Sequence, residues 1–357
     1  MRAMQIINWG APLELRTCKT PVPTGEEILL RVDACGVCHS DLHIWDGFFD
    51  LGNDQKFAIE ERGVQLPFTL GHEPVGTVVA KGADVSSFVE IGESYAVYPW
   101  INCGECQPCQ NRLTQICDAP KIIGTRVNGA YADHVLVPRA EFLVDYKGIE
   151  PELACILGCA GLTSYSALKK VELDSLDGRD SLLIIGSGGV GLAAISIARA
   201  LCDARIIVAD IDPSKRDAAL QAGAAEVVDA NAESALGKID VLAQSQEGMG
   251  VAASIDFVGL PQTMSLGLNA LRKGGQHIHV GLFGGAHSLS LPPVAFRMLR
   301  ISGSYVGTLI EFRELIALVR DGMEMPIPIS TRPLEEASGA LEDLRQGKIV
   351  GRVVLKP

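Results

Sequence analysis

The feature that most limits how this chain can fold is an apolar run that ends in a glycine cluster. Residues 182–185 (L-L-I-I) run directly into Gly186-Ser187-Gly188-Gly189-Val190-Gly191, and a helix-like stretch continues to about Leu201. A second strand, R-I-I-V-A-D, then ends in Asp210, 24 residues after Gly186. The spacing G-x-G-x-x-G is weak alone. Between a buried strand and a helix, with an acidic residue closing the next strand, it predicts a dinucleotide site. Gly186 permits the tight turn and Gly188 lets the backbone approach a pyrophosphate. Gly189 and Val190 open the helix, whose free N–H groups face the phosphates, and Gly191 allows close packing of helix on strand. Asp210 would accept hydrogen bonds from the adenosine ribose and repel a 2′-phosphate, which favours NAD over NADP. Lys215 lies within reach of that ribose, and Arg216 could temper the preference. A helix from Pro213 to about Ala222 and short strands at E-V-V-D, S-I-D-F-V and H-I-H-V-G extend the alternation, so this region is α/β with a parallel sheet.

At 357 residues the chain is long enough for two domains. Its first 150 or so residues have a different texture, with short strands such as E-I-L-L-R-V-D-A, P-V-G-T-V-V-A-K-G and Y-A-D-H-V-L-V-P broken by Gly, Pro and Asp. A net charge of -12 argues against nucleic-acid or anionic-membrane partners, though not against a local basic spot. The one membrane-like stretch, residues 182–198, is interrupted by four glycines that the turn explains. Ten cysteines without a signal-like N-terminus point to reduced thiols and a cytoplasmic setting.

Four of those cysteines, Cys103, Cys106, Cys109 and Cys117, fall within fifteen residues, C-G-E-C-Q-P-C-Q-N-R-L-T-Q-I-C. One loop can bring all four to a point, as a closed structural zinc site requires. A disulfide pair is the weaker alternative in a reducing compartment.

A second set of metal-ligating residues is dispersed. C-G-V-C-H-S-D-L-H spans Cys35 to His43, G-H-E-P holds His72 and Glu73, and L-G-C-A-G-L-T-S-Y holds Cys159. Two cysteines and a histidine would give three ligands and leave a fourth position open, as a catalytic zinc needs. The residues alone do not choose between Cys35 and Cys38, or between Cys155 and Cys159, and a C-x-x-C redox pair stays open.

In kind and order these strings, with V-G-L-F-G-G beginning at Val280, resemble the zinc-dependent medium-chain alcohol dehydrogenase family over nearly the whole chain. The resemblance implies a GroES-like β-rich catalytic domain over residues 1–160 and 304–357, and a Rossmann doubly wound coenzyme domain over 161–303. It implies two zinc ions and NAD, with Cys38, His72 and Cys159 on the catalytic zinc and Asp41 and Glu73 orienting ligands behind them. Ser40 and His43 take the places of the proton relay, which runs from the alcohol through Ser40 and a cofactor ribose hydroxyl to His43 and water. His39 stands where a basic residue approaches the pyrophosphate. A histidine half charged near neutrality would make NAD affinity fall as pH rises. Arg352 corresponds to an arginine that returns to the phosphates. Thr163 would lie beside the nicotinamide, and Val280 and Gly281 would border it from the other side with backbone groups facing the carboxamide. Phe49 and Trp100 correspond to pocket walls, and the aromatic, charged segment 46–69, between His43 and His72, is longer than in many members. The substrate implied is a primary, small secondary or aromatic alcohol, converted to aldehyde or ketone by a homodimer or homotetramer. A polyol dehydrogenase, or a non-enzymatic NAD-binding or redox-sensing protein, are the alternatives; Cys159 weighs against the first, and Ser40 and His43 against the second.

Overall fold

The structure is a computed structural model that describes residues 1–173, 176–243 and 250–357. Its parallel sheet has six strands in the order Glu226–Asp229, Arg205–Asp210, Ser181–Ile185, Val251–Asp256, Leu271–His279, Arg300–Gly303. Ser181–Ile185 is completely buried, which is why it reads as an unbroken apolar run. The chain leaves this strand toward Arg205–Asp210 on one side and later places Val251–Asp256 on the other. The connections diverge there, opening a crevice at the carboxyl ends of the strands.

The remaining sheets come from both ends of the chain. Ile28–Gly36 is the centre of a seven-stranded sheet and pairs with Pro74–Lys81, His134–Val137 and the C-terminal strand Arg352–Lys356. The register Val354↔Gly36 and Leu355↔Cys35 brings residues 352–355 to the foot of the C-x-x-C segment. Segment 46–69 contains a hairpin, Phe48–Gly52 with Gln55–Ala58, followed by a 3-10 turn at Ile59–Arg62. Asn53 and Asp54 have φ of 51° and 61°, and such short polar side chains tolerate this left-handed turn. The hairpin reaches the other domain, since a Cβ on Gly52 would lie 2.5 Å from the backbone of Gly285 and Ala286. No helix among the described residues is long and apolar enough to cross a membrane.

Candidate active site and metal centres

Strand Ile28–Gly36 gives way to helix His39–Asp46 at Cys38, so the segment turns away from the sheet directly beside the sulfur. Asp41, in the helix's first turn, organises the surroundings. Its Oδ2 accepts the Cys38 amide at 3.0 Å and the Tyr131 hydroxyl at 2.9 Å, and its Oδ1 lies 3.1 Å from His72 Nδ1. Both side chains of the Asp41–His72 pair are fully buried. With Nδ1–H donating to Asp41, the lone pair of His72 is on Nε2, a buried atom without a hydrogen-bond partner. Burial opposes a charged His72, but Asp41 and Cys38 outweigh it and hold the imidazole well above its usual range.

Cys159 reaches the same place from a one-turn π-helix, Leu157–Gly161, inserted between two α-helices. Such insertions recur at functional sites. Its sulfur is 4.0 Å from that of Cys38. Contact with Cys159 is the largest influence holding Cys38 well below the usual thiol range, whereas Cys159 is driven well above it by Cys38 and by burial. The protein's own groups therefore favour one thiolate of the two, and a dication is what would let both ionise. Donor atoms of Cys38, His72, Glu73 and Cys159 lie within 4.8 Å of one another. Two soft sulfurs, an imidazole whose Nε2 meets no protein partner and would exchange its proton for a metal, and a nearby carboxylate fit zinc.

Cys35 and Cys155 do not join this group. Both are buried, both are pushed well above the usual thiol range chiefly by burial, and their sulfurs face the carbonyls of Gly36 and Glu152. Geometry thus separates the cysteines that spacing could not.

Glu73 stands closer to the other donors than a purely orienting role needs. Its Oε2 pairs with Arg352 Nη2, its Oε1 has no partner, and burial raises its carboxyl to about 7 against the pull of Arg352. The pair occupies the space of a missing side chain, because a Cβ on Gly36 would lie 1.9 Å from Glu73 Oε2.

The four-cysteine loop is a separate centre. Its sulfurs are 3.4 Å (Cys106–Cys109), 3.5 Å (Cys117–Cys103) and 3.8 Å (Cys106–Cys117) apart. All four are free thiols, and a tetrahedron of Zn–S bonds of about 2.3 Å has edges of about 3.8 Å. Backbone amides of Glu105, Cys106, Asp118 and Ala119 point at the sulfurs, and the amide of Glu105 leads in drawing Cys103 down to about 6.

A cavity of about 900 Å³ joins the first centre to the glycine turn and is lined by Cys38, Cys159, Ser40, His43 and Thr163 on one side and Gly188 on the other. Gly186 has φ +87°, and a Cβ on Gly191 would lie 1.9 Å from Gly186 O, so strand and helix pack backbone to backbone. Gly188 faces open space. Asp210 ends its strand with Oδ2 2.7 Å from Ser187 N. Arg216 donates to Asp210 O and lies 3.7 Å from Asp229, so it is tied down away from a 2′-phosphate. Lys215, Val280, Phe49 and Trp100 also line the cavity. Ser40 and His43 lie one turn apart on helix His39–Asp46, and the Phe49 ring lies tilted against that of His43, centroid to centroid 4.9 Å.

One expectation needs correction. Burial lowers His39 to about 4, so its ring is neutral from pH 6 to 8, and titration of this group gives NAD affinity no pH dependence there. It instead contacts Phe283 across the crevice, centroid to centroid 5.0 Å. Arg352 lies against Gly189, where a Cβ would meet its Cδ at 2.0 Å; its Nη2 pairs with Glu73, while its Nε, also a donor, meets no partner among the described residues. The amides of Val280 and Gly281 both donate to Asp256 O at 2.9 Å, which leaves their carbonyls as the backbone groups for a carboxamide. Tyr131 and Gly36 carry no sequence signal of their own, since each matters only through partners distant in the chain.

Comparison with known proteins agrees with this architecture. Residues 24–147 match the alcohol dehydrogenase GroES-like domain, and residues 189–321 match the zinc-binding dehydrogenase domain. The chain is 37% identical to an NAD-dependent alcohol dehydrogenase of Sulfurisphaera tokodaii, over all of both proteins. It is 30% identical to a D-arabinose 1-dehydrogenase (NADP(+)) of Saccharolobus solfataricus, over 100% of this chain and 97% of that one. The crystal structure of the alcohol dehydrogenase from Aeropyrum pernix superposes with a TM-score of 0.88 at 28% identity, covering both chains completely. The chain belongs to the zinc-dependent medium-chain dehydrogenase family, with its GroES-like and Rossmann-type folds.

Proposed function

We propose that this protein is an NAD-dependent zinc alcohol dehydrogenase that interconverts an alcohol and its aldehyde or ketone. The observation that carries this reading is the convergence of Cys38, His72 and Cys159 donors in the same cavity as the glycine turn. Cys38, His72 and Cys159 would hold the catalytic zinc, with Glu73 as a nearby fourth carboxylate, and Cys103, Cys106, Cys109 and Cys117 would hold the structural one. When bound, zinc supplies Lewis acidity at the alcohol oxygen and NAD supplies the hydride acceptor.

The chain's own residues do the rest. Asp41 fixes the His72 tautomer, and Tyr131 and the Cys38 amide fix Asp41. Ser40 receives the alcohol proton, and His43, one turn on, is the group that returns it toward water. Gly186, Gly188, Gly189, Val190 and Gly191 let the backbone meet a pyrophosphate, and Asp210 takes the adenosine ribose. Thr163, Val280 and Gly281 flank the nicotinamide position, with Lys215, His39 and Arg352 along the cofactor's path. Phe49 and Trp100 narrow the substrate end.

We assign residues 1–160 and 304–357 to the catalytic domain and 161–303 to the coenzyme domain, and place the protein in the cytoplasm. We further propose a homo-oligomer joined along edge strand Arg300–Gly303, which is flanked by Phe296 and Met298, exposed by 82% and 79%. The test of the activity is a panel of alcohols and carbonyls with NAD and NADP on zinc-replete protein. NADH formation with a clear NAD preference is the expected result, and no turnover across the panel would overturn it.

A further inference from the structure

The cavity wall beyond the proposed zinc ligands carries buried polar atoms without partners and, beside them, a cation. Trp100 is 4% exposed and its ring lies 5.9 Å from that of His72, yet its Nε1, a donor only, meets no acceptor among the described residues. Thr125, 3% exposed, has an equally unpartnered Oγ1. Tyr305 stands edge-on to Trp100 at 5.8 Å. Burial raises the Tyr305 hydroxyl, and Arg62, within hydrogen-bonding reach, works against the rise. Arg62 ends the 3-10 turn Ile59–Arg62, and its guanidinium is 5.5 Å from the Phe49 ring centre. Among the described residues no carboxylate pairs with Arg62, although the chain as a whole carries a net charge of -12. Phe49, Arg62, Trp100, Thr125 and Tyr305 line the same cavity.

Buried polar atoms without partners are costly unless a ligand answers them, and the half-buried Arg62 in the same wall pairs with no carboxylate among the described residues. We propose that Arg62, Trp100 and Thr125 form an anion-accepting subsite and that the substrate is a hydroxycarboxylate, its alcohol at the zinc end and its carboxylate a few carbons away on Arg62. An ionised carboxylate brings acceptors only and its charge answers Arg62, which a neutral polyol hydroxyl does not. This inference rests on the alcohol dehydrogenase reading and names its substrate class.

Two measurements test it separately from that reading. The first compares kcat/KM for 4-hydroxybutyrate and butan-1-ol with NAD in zinc-replete protein. Wild type is expected to prefer the hydroxy acid. Arg62→Leu should lower the preference ratio by about 10- to 100-fold, the effect of one lost charged hydrogen bond, and Arg62→Lys by less. A purely structural role for Arg62 would move both substrates together and leave the ratio unchanged, which would overturn the subsite, as would a wild-type preference for butan-1-ol. The second is calorimetric titration of NADH-loaded protein with 4-hydroxybutyrate. Affinity that falls at least about 10-fold in Arg62→Leu supports the subsite even if neither alcohol is turned over, in which case only the activity reading fails. Affinity indifferent to Arg62 rejects the subsite whatever the turnover.

Discussion

Asp41→Asn probes the candidate zinc site without changing its volume. In the native arrangement one carboxylate oxygen, Oδ2, serves both the Cys38 amide and the Tyr131 hydroxyl, and the other, Oδ1, faces His72 Nδ1. An asparagine has one acceptor oxygen and one donor NH2. If its oxygen keeps the two donors, the NH2 confronts His72 Nδ1–H, and the ring must move its proton to Nε2, the atom proposed to bind zinc. If the amide flips, His72 keeps its tautomer but two buried donors lose their acceptor, at about 1–3 kcal/mol each. The first outcome is the cheaper, and changes of this kind behind a metal ligand cost about 10- to 100-fold in metal affinity, or about 1.4–2.7 kcal/mol. The assay is zinc release to a chromogenic chelator. Two phases of one equivalent each are expected from wild type, and Cys38→Ser identifies which belongs to the candidate catalytic site. In Asp41→Asn that phase should run about 10- to 100-fold faster, while the four-cysteine phase keeps its rate. Equal acceleration of both phases, or of neither, would refute the reasoning.

Ser40→Ala should lower kcat by about 100-fold or more, while NAD affinity measured by fluorescence titration stays within about twofold; unchanged turnover would remove Ser40 from the relay. Gly191→Ala forces a Cβ onto Gly186 O and should cost about 3 kcal/mol, read as a lower Tm together with weaker NAD binding. Cys109→Ser should lose one zinc by metal analysis and lower the Tm while leaving the other zinc in place; retention of both ions would contradict a four-thiolate centre.

What the sequence could reveal was what short strings can hold. The turn from Gly186 to Gly191 and the loop from Cys103 to Cys117 are contiguous, so their geometry follows from spacing, and the parallel sheet follows from buried strands alternating with helices. Spacing left Cys35 and Cys38 level and the family resemblance chose Cys38; the path of the backbone supplies the physical reason, since only Cys38 lies where strand turns to helix. The choice of Cys159 over Cys155 depended on a π-helical turn that no periodicity announced. The Glu73–Arg352 pair joins residues 279 positions apart and exists because two sheet strands meet in one register at Gly36. His39 was misread for a related reason. Its charge is set by burial, which neither its identity nor its neighbours in the chain disclose. Arg62 was invisible because its significance lies in the carboxylate it lacks.

The most direct measurement is anomalous diffraction at the zinc edge from crystals of zinc-replete protein grown with NAD. The account predicts two peaks per chain, one inside the four-cysteine loop and one held by Cys38 Sγ, His72 Nε2 and Cys159 Sγ in the cavity beside the dinucleotide. A single peak in the loop, or a second ion bound instead through Cys35 or Cys155, would contradict it.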